Sequence, residues 1–276
     1  MSNDPIISIT RPTASQTEAP KSNKPALKTH TVELPSKGFF YNQSNPLSSG
    51  KVELFQVTAK HEDILSNSSY MKKGTVLDEF LKSIIATEGV SLDDLVIGDK
   101  NALFIASRIL AYGKDYEIKT KCKECGVESK FEVNLSDVKA KPYEFTKHTK
   151  GENKFYITLP SSGKKAIIKL LTHKDENNID GEIKALSKIG GTVTPEVTTR
   201  LKYAILSIDG EADRGKIKKF VDNDLLSVDS LALRKFMREC MPDMDMHVDF
   251  TCPACGHVDR VYVPLTTSFF WPSTTE

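Results

Sequence analysis

The chain has 276 residues, 39% apolar and 27% charged, the composition of a globular protein with enough chain for one or two domains. Its 38 basic and 37 acidic residues leave a formal charge of +1, which argues against the broad basic footprint of a nucleic-acid binder and leaves room only for a local patch. No run approaches the roughly 18 apolar residues of a membrane span and the polar N-terminus lacks a signal-peptide core, so a cytosolic protein is expected.

Residues 1–30 are rich in Ser, Thr, Pro, Asn and Lys and carry few apolar positions, so a disordered arm is expected there. Order should begin with a short strand at residues 31–34, followed by a turn through Pro35 and Gly38 and the aromatic cluster Phe39, Phe40 and Tyr41. Val52, Leu54 and Val57 read as a second strand. Thr75 and Asp78 form a variant capping box ahead of Val76, Leu77, Phe80, Leu81, Ile84 and Ile85, which share one helical face. Ser91 marks a shorter start. Asp99 is placed as the cap of a further helix carrying Leu103, Phe104, Ala106, Ile109 and Leu110, with Gly113 ending it.

The central stretch differs in character. Phe155, Ile157 and Leu159 alternate, Ser161, Ser162 and Gly163 supply a turn, and residues 166–171 form an apolar run, which together signal a hairpin. Thr194 ahead of Pro195 opens a predicted helix whose face includes Val197, Leu201, Ala204, Ile205 and Ile208, ending at Gly210. Another helix is predicted over residues 230–239, stopped by Pro242. No solenoid-type repeat is present.

The cysteines carry the clearest chemistry. Cys122 and Cys125, then Cys252 and Cys255, each form CxxCG flanked by alternating strand-like segments. Two residues between thiolates let one turn present both sulfurs to a single metal, and the following glycine tolerates the left-handed backbone such a turn needs. Two such hairpins supply four thiolates, a closed tetrahedral shell that points to a structural zinc ion. The 126 residues between Cys125 and Cys252 are the objection. Closing such a loop costs about 4–5 kcal/mol, whereas structural zinc contributes on the order of 10–16 kcal/mol in small peptides. In a cytosol, paired CxxC motifs read as metal ligands or redox centres before disulfides. A thioredoxin-like site would put one CxxC at a helix start, and both pairs here lie between strands. His247 and His257 read as surface histidines and Cys240 as an ordinary buried thiol on a helix.

Other signals are bland. The Gly163-Lys164 pair lacks phosphate-loop spacing, and residues 216–219 read as a solvated basic face. No nucleophile elbow, catalytic metal motif or dinucleotide fingerprint occurs, so no enzyme is expected. Phe269, Phe270 and Trp271 precede Pro272 near the C-terminus, and with Phe39, Phe40 and Tyr41 they have two readings. They either dock on the chain's own core or anchor a partner protein.

The run LPSKGFFY at residues 34–41, the helix end Leu110-Ala111-Tyr112-Gly113, the two CxxC pairs and the closing FFWP, in this order, resemble the baseplate hub assembly family of T4-type contractile-tailed bacteriophages. The resemblance covers about residues 31–272. It implies a non-enzymatic morphogenesis protein acting in the host cytoplasm, either a minor hub component retained in the virion tail or an assembly factor that leaves before completion. Its partners would be baseplate hub or tail proteins, with no small-molecule substrate and no catalytic residues to carry over. The expected fold is α+β with a zinc-knuckle, zinc-ribbon-like hairpin core. Residues 31–140 hold the first knuckle, 141–245 form a mixed hairpin and helical insertion, and 246–276 hold the second knuckle and the FFWP segment. The competing reading is a zinc-ribbon nucleic-acid-binding or transcription-associated protein. Lys119, Lys121, Lys123 and Lys130 surround the first knuckle and would contact phosphate, while only Arg260 lies near the second.

Overall fold

A computed structural model describes residues 28–188, 195–265 and 267–270. The expected arm therefore lies almost entirely outside the described residues, as do Thr194 and Trp271. Order reaches two residues further back than expected, because β1 (Thr29–Glu33) already pairs at Thr29 with Phe55 of the antiparallel β2 (Lys51–Phe55).

The connection from β1 to β2 folds back tightly on itself. Gly38 has φ 72°, and a Cβ there would lie 2.4 Å from the Ser48 carbonyl oxygen, so only glycine fits. Leu34, Phe40, Tyr41 and Leu47 from this connection are buried. Four helices follow, α1 (Ala59–Leu65), α2 (Ser68–Lys73), α3 (Val76–Ile84) and α4 (Ile97–Tyr112). The predicted face of α3 is inward, with Val76, Phe80, Leu81 and Ile84 buried. Thr75 sits at its cap position but makes no side-chain capping bond, and Asp78 turns instead to Lys100 and His173.

Asp99 is not a helix cap. It lies inside the first turn of α4 with no solvent exposure, and Val96 occupies the cap position. The carboxylate accepts hydrogen bonds from the Ser36 amide (2.9 Å), the Ser36 hydroxyl (2.6 Å) and the Tyr41 hydroxyl (2.6 Å). Tyr41 Oη in turn accepts from the Val96 amide at 3.1 Å. These bonds attach the LPSKGFFY run to the start of α4.

Two hairpins and a three-stranded sheet make up the rest of the β structure. β3 (Asp115–Lys121) pairs with β4 (Glu128–Asn134), β5 (Phe155–Thr158) with β6 (Lys165–Ile168), and β8 (His247–Thr251) with β9 (Val258–Tyr262), all antiparallel. Between them lie α5 (His173–Lys188), α6 (Glu196–Ala204), α7 (Arg214–Lys219) and α8 (Ser227–Cys240). The helix expected to run to residue 208 stops at Ala204. Ile205–Ile208 instead forms β7, paired antiparallel with β6 through Ile168↔Ile205 and Ala166↔Ile208. β-branched Ile205 and Ile208 suit an extended pleated surface, and the free edge of β6 supplies the backbone partners that decide the outcome.

Among the described residues the chain is thus a mixed α and β protein of eight α-helices and four small antiparallel sheets. One large apolar cluster runs through it, joining Leu54, Phe80 and Leu103 to Phe155, Ile168 and Leu233 of the central stretch. The core expected at the knuckles is elsewhere: the knuckles hold only a satellite cluster of Cys122, Phe250 and Cys252, flanked by Phe131 and Val261. Two-stranded hairpins expose alternate side chains and bury too little to nucleate the fold. They are rooted in the main cluster by Ile118, Val133, Met246 and Val263. No helix among the described residues is long and apolar enough to cross a membrane.

Candidate metal centre

The two CxxCG turns have the same local geometry. In the first, the Cys122 amide donates to Val127 O (3.0 Å) and the Gly126 amide to Cys122 O (3.0 Å). In the second, the Cys252 amide donates to His257 O (2.8 Å) and the Gly256 amide to Cys252 O (2.9 Å). Gly126 and Gly256 both have φ 73°, the left-handed conformation that closes each turn.

The hairpin tips meet. Cys122 Sγ lies 3.7 Å from Cys255 Sγ, and Cys125 Sγ lies 3.7 Å from Cys252 Sγ, so the first thiol of each turn faces the second thiol of the other. All four sulfurs lie within 4.8 Å of one another. A tetrahedral zinc site with bonds of about 2.3 Å has sulfur–sulfur edges of roughly 3.8 Å. The arrangement therefore fits that ion's donor set and size. Cys122 and Cys252 are buried, Cys125 and Cys255 exposed. Phe131 and Phe250 pack beneath them with ring centroids 4.9 Å apart.

The local electrostatics divide the thiols. The Cys125 and Glu124 amides point at Cys122 Sγ and lower its pKa, and the Cys255 and Ala254 amides hold Cys252 down at about 7. Cys255 receives a bond from the His257 amide, but the neighbouring thiols of Cys125, Cys252 and Cys122, with burial, push it up to about 12. Four thiols this close cannot all be anions without a cation among them, a charge that a divalent metal would supply.

Among the described residues the metal-capable cluster consists of these four cysteines, with neither His247 nor His257 in it. His247 is exposed and packs on Tyr262, and His257 is half-buried. Cys240 lies buried on α8, its thiol pushed up to about 12 by burial. Of the basic residues around the knuckles, Lys123 pairs with Asp259 (2.6 Å), Lys130 with Glu117 (2.9 Å) and Arg260 with Asp245 (2.8 Å), while exposed Lys119 and Lys121 have no ion pair among the described residues.

The chain between the knuckles also has its ends tied by backbone. Ala140 bridges Met244, the Lys141 amide donates to Asp243 O and the Asp245 amide to Lys139 O, each at 2.8 Å. The sequence offers no periodic signal for these irregular pairs. They bring the bases of the two hairpins together, so closure of the long loop does not fall on the cysteines alone.

The aromatic candidates lie mostly inside. Phe40 is buried among Tyr143, Phe145, His148 and Phe155, and Tyr41 serves Asp99. Phe39 is half-buried against Phe145. Phe269 is fully buried on Tyr116, and Phe270, 1% exposed, sits between Phe80 and Phe104. The Arg108 guanidinium donates to Phe269 O at 2.9 Å. These rings pack within the chain's own core.

Fold and site together define a mixed α and β protein whose two sequence-distant hairpins converge on a four-cysteine cluster compatible with a metal ion. The profile of the family described as T4 bacteriophage base plate protein matches residues 28–271, most of the chain. The chain belongs to that family. Comparisons with curated proteins and with solved structures give no match.

Proposed function

We propose that this baseplate protein is a non-enzymatic morphogenesis factor acting in assembly of the baseplate hub through contacts with other tail proteins, and that Cys122, Cys125, Cys252 and Cys255 hold one structural zinc ion. The observation that carries the reading is the family match over residues 28–271. The residues of the early and late motifs support a structural role: Ser36 and Tyr41 bind Asp99, and Phe40, Phe269 and Phe270 fill the core. A tetrathiolate shell leaves no open coordination position, so the metal would act as a staple and not as a catalyst. The pairing of Lys123, Lys130 and Arg260 with carboxylates weighs against a phosphate-binding surface at the knuckles.

The test is affinity isolation of the tagged full-length chain from infected cells, with zinc present throughout. Recovery of hub or other baseplate proteins is the expected result. Recovery of none of them, or salt-sensitive recovery of nucleic acid in their place, would overturn the assembly role.

A further inference from the structure

A large cleft lies away from the cysteines, with a volume of about 1010 Å³, at the upper end of the range for ligand pockets. It is bounded by α2, α3 and α4 on the N-terminal side and by α5, α6 and α8 of the central stretch. Its apolar lining includes Met71, Met237 and Met241, three of the chain's six methionines, together with Leu77, Phe104 and Val197. Met71 and Val197 are 45% and 42% exposed, large apolar side chains left in water. Flexible thioethers adapt their packing to incoming side chains, which suits a surface that receives a protein segment.

The charges of the lining narrow the occupant. Lys100 is held by Asp78 (2.8 Å), Lys169 by Asp175 (2.7 Å) and Arg200 by Glu176 (2.6 Å). Asp180 and Glu196 gather around the same Arg200. Arg234 and Arg238 are the lining cations with no ion pair among the described residues, the pair on α8 being Lys235 with Glu239. Arg234, Met237 and Arg238 are spaced three and four residues apart on α8, and Met241 follows directly after its end, so this edge of the cleft offers two guanidinium groups without a carboxylate partner among the described residues beside two thioethers, Arg234 Nε donating only to the Ser230 carbonyl at 3.4 Å. Guanidinium groups of this kind recognise carboxylates bidentately.

We propose that this cleft receives an acidic amphipathic segment of another tail protein, its apolar side chains seated among Met71, Met237 and Met241 and its carboxylates on Arg234 and Arg238. The inference rests on the assembly role argued above and names the surface and the chemistry of the partner.

A photocrosslinking residue in the full chain, Val197→p-benzoylphenylalanine, tests it in infected cells, with the crosslinked peptide sequenced by mass spectrometry and baseplate association measured in parallel. The expected crosslink is to a segment of another tail protein that combines apolar residues with Asp or Glu. Its yield should fall at least tenfold in the Arg234→Glu, Arg238→Glu double variant, whose substitutions lie at exposed positions and whose folding is verified by circular dichroism. Baseplate association without such a crosslink would overturn the cleft and leave the assembly role standing. Crosslinks to residues 1–27, to a second copy or to a segment lacking carboxylates would also overturn it, as would a yield indifferent to the charge reversal. Loss of association in the parent chain would overturn both.

Discussion

Asp99 is a carboxyl group with no solvent exposure and three hydrogen-bond donors around it. Burial outweighs the bonds from Ser36 and Tyr41 and raises its pKa to about 6, above its ordinary value of 3.8. A raised folded-state pKa means that the native protein binds this proton more tightly than the unfolded chain. The associated stability is fully present below about pH 4 and is lost as pH rises through about 6. Relative to Asp99→Asn, which cannot ionise, the parent chain should therefore lose about 2 kcal/mol between pH 4 and pH 7 in urea unfolding. A pH-independent difference would place the group in a solvated site. Gly98, beside it, makes a separate demand, because a Cβ there would lie 1.9 Å from the Pro242 carbonyl oxygen. Gly98→Ala should cost about 1–3 kcal/mol by forcing α4 away from residues 242–243, read as a lower denaturation midpoint. At Gly256 a Cβ meets open space, so Gly256→Ala should cost only the left-handed backbone penalty, about 1–2 kcal/mol.

At the scale of elements, the hairpins β3–β4 and β8–β9 bury little on their own and depend on what joins their tips. Removing the metal by chelation should raise hydrogen exchange in residues 115–134 and 247–262, while α3 and α4, packed in the main cluster, keep their protection. Equal loss of protection in α3 would mean that the site governs the whole fold. The legibility of elements follows the same physics. α3 and both knuckle hairpins could be read from the sequence because each has a strong apolar or CxxCG period. α1 and α2 could not, since α1 buries only His61 and Leu65 and α2 buries no residue, which leaves caps as their signal. Asn67 accepts from the Ser69 and Tyr70 amides and Gly74 closes α2 in the left-handed region, a start and stop pair present in the sequence. At β7 the sequence points to helix because Ile205 and Ile208 fit both periods, and only the long-range partner β6 distinguishes them.

For the whole molecule, the sequence brought four cysteines to one expected site, and their sulfurs do converge across 126 intervening residues. What could not be read was the share of the work done elsewhere. The Ala140–Met244 bridge joins the bases of the knuckle hairpins and the Ser36–Tyr41–Asp99 network ties residues 34–41 to α4, and neither follows from local patterning, whereas the burial of Phe269 and Phe270 is one of the two readings their sequence offers. The Met-lined cleft was equally invisible, because its walls come from helices far apart in sequence. The cysteine site remains the feature on which the account depends most. X-ray absorption of the purified full-length protein, with its metal content quantified, tests it directly. The expected result is one zinc per chain surrounded by four sulfurs at about 2.3 Å, lost in Cys122→Ser and Cys252→Ser and kept in Cys240→Ser. A shell containing nitrogen or oxygen in place of sulfur, or protein that binds no zinc with all four thiols reduced, would contradict it.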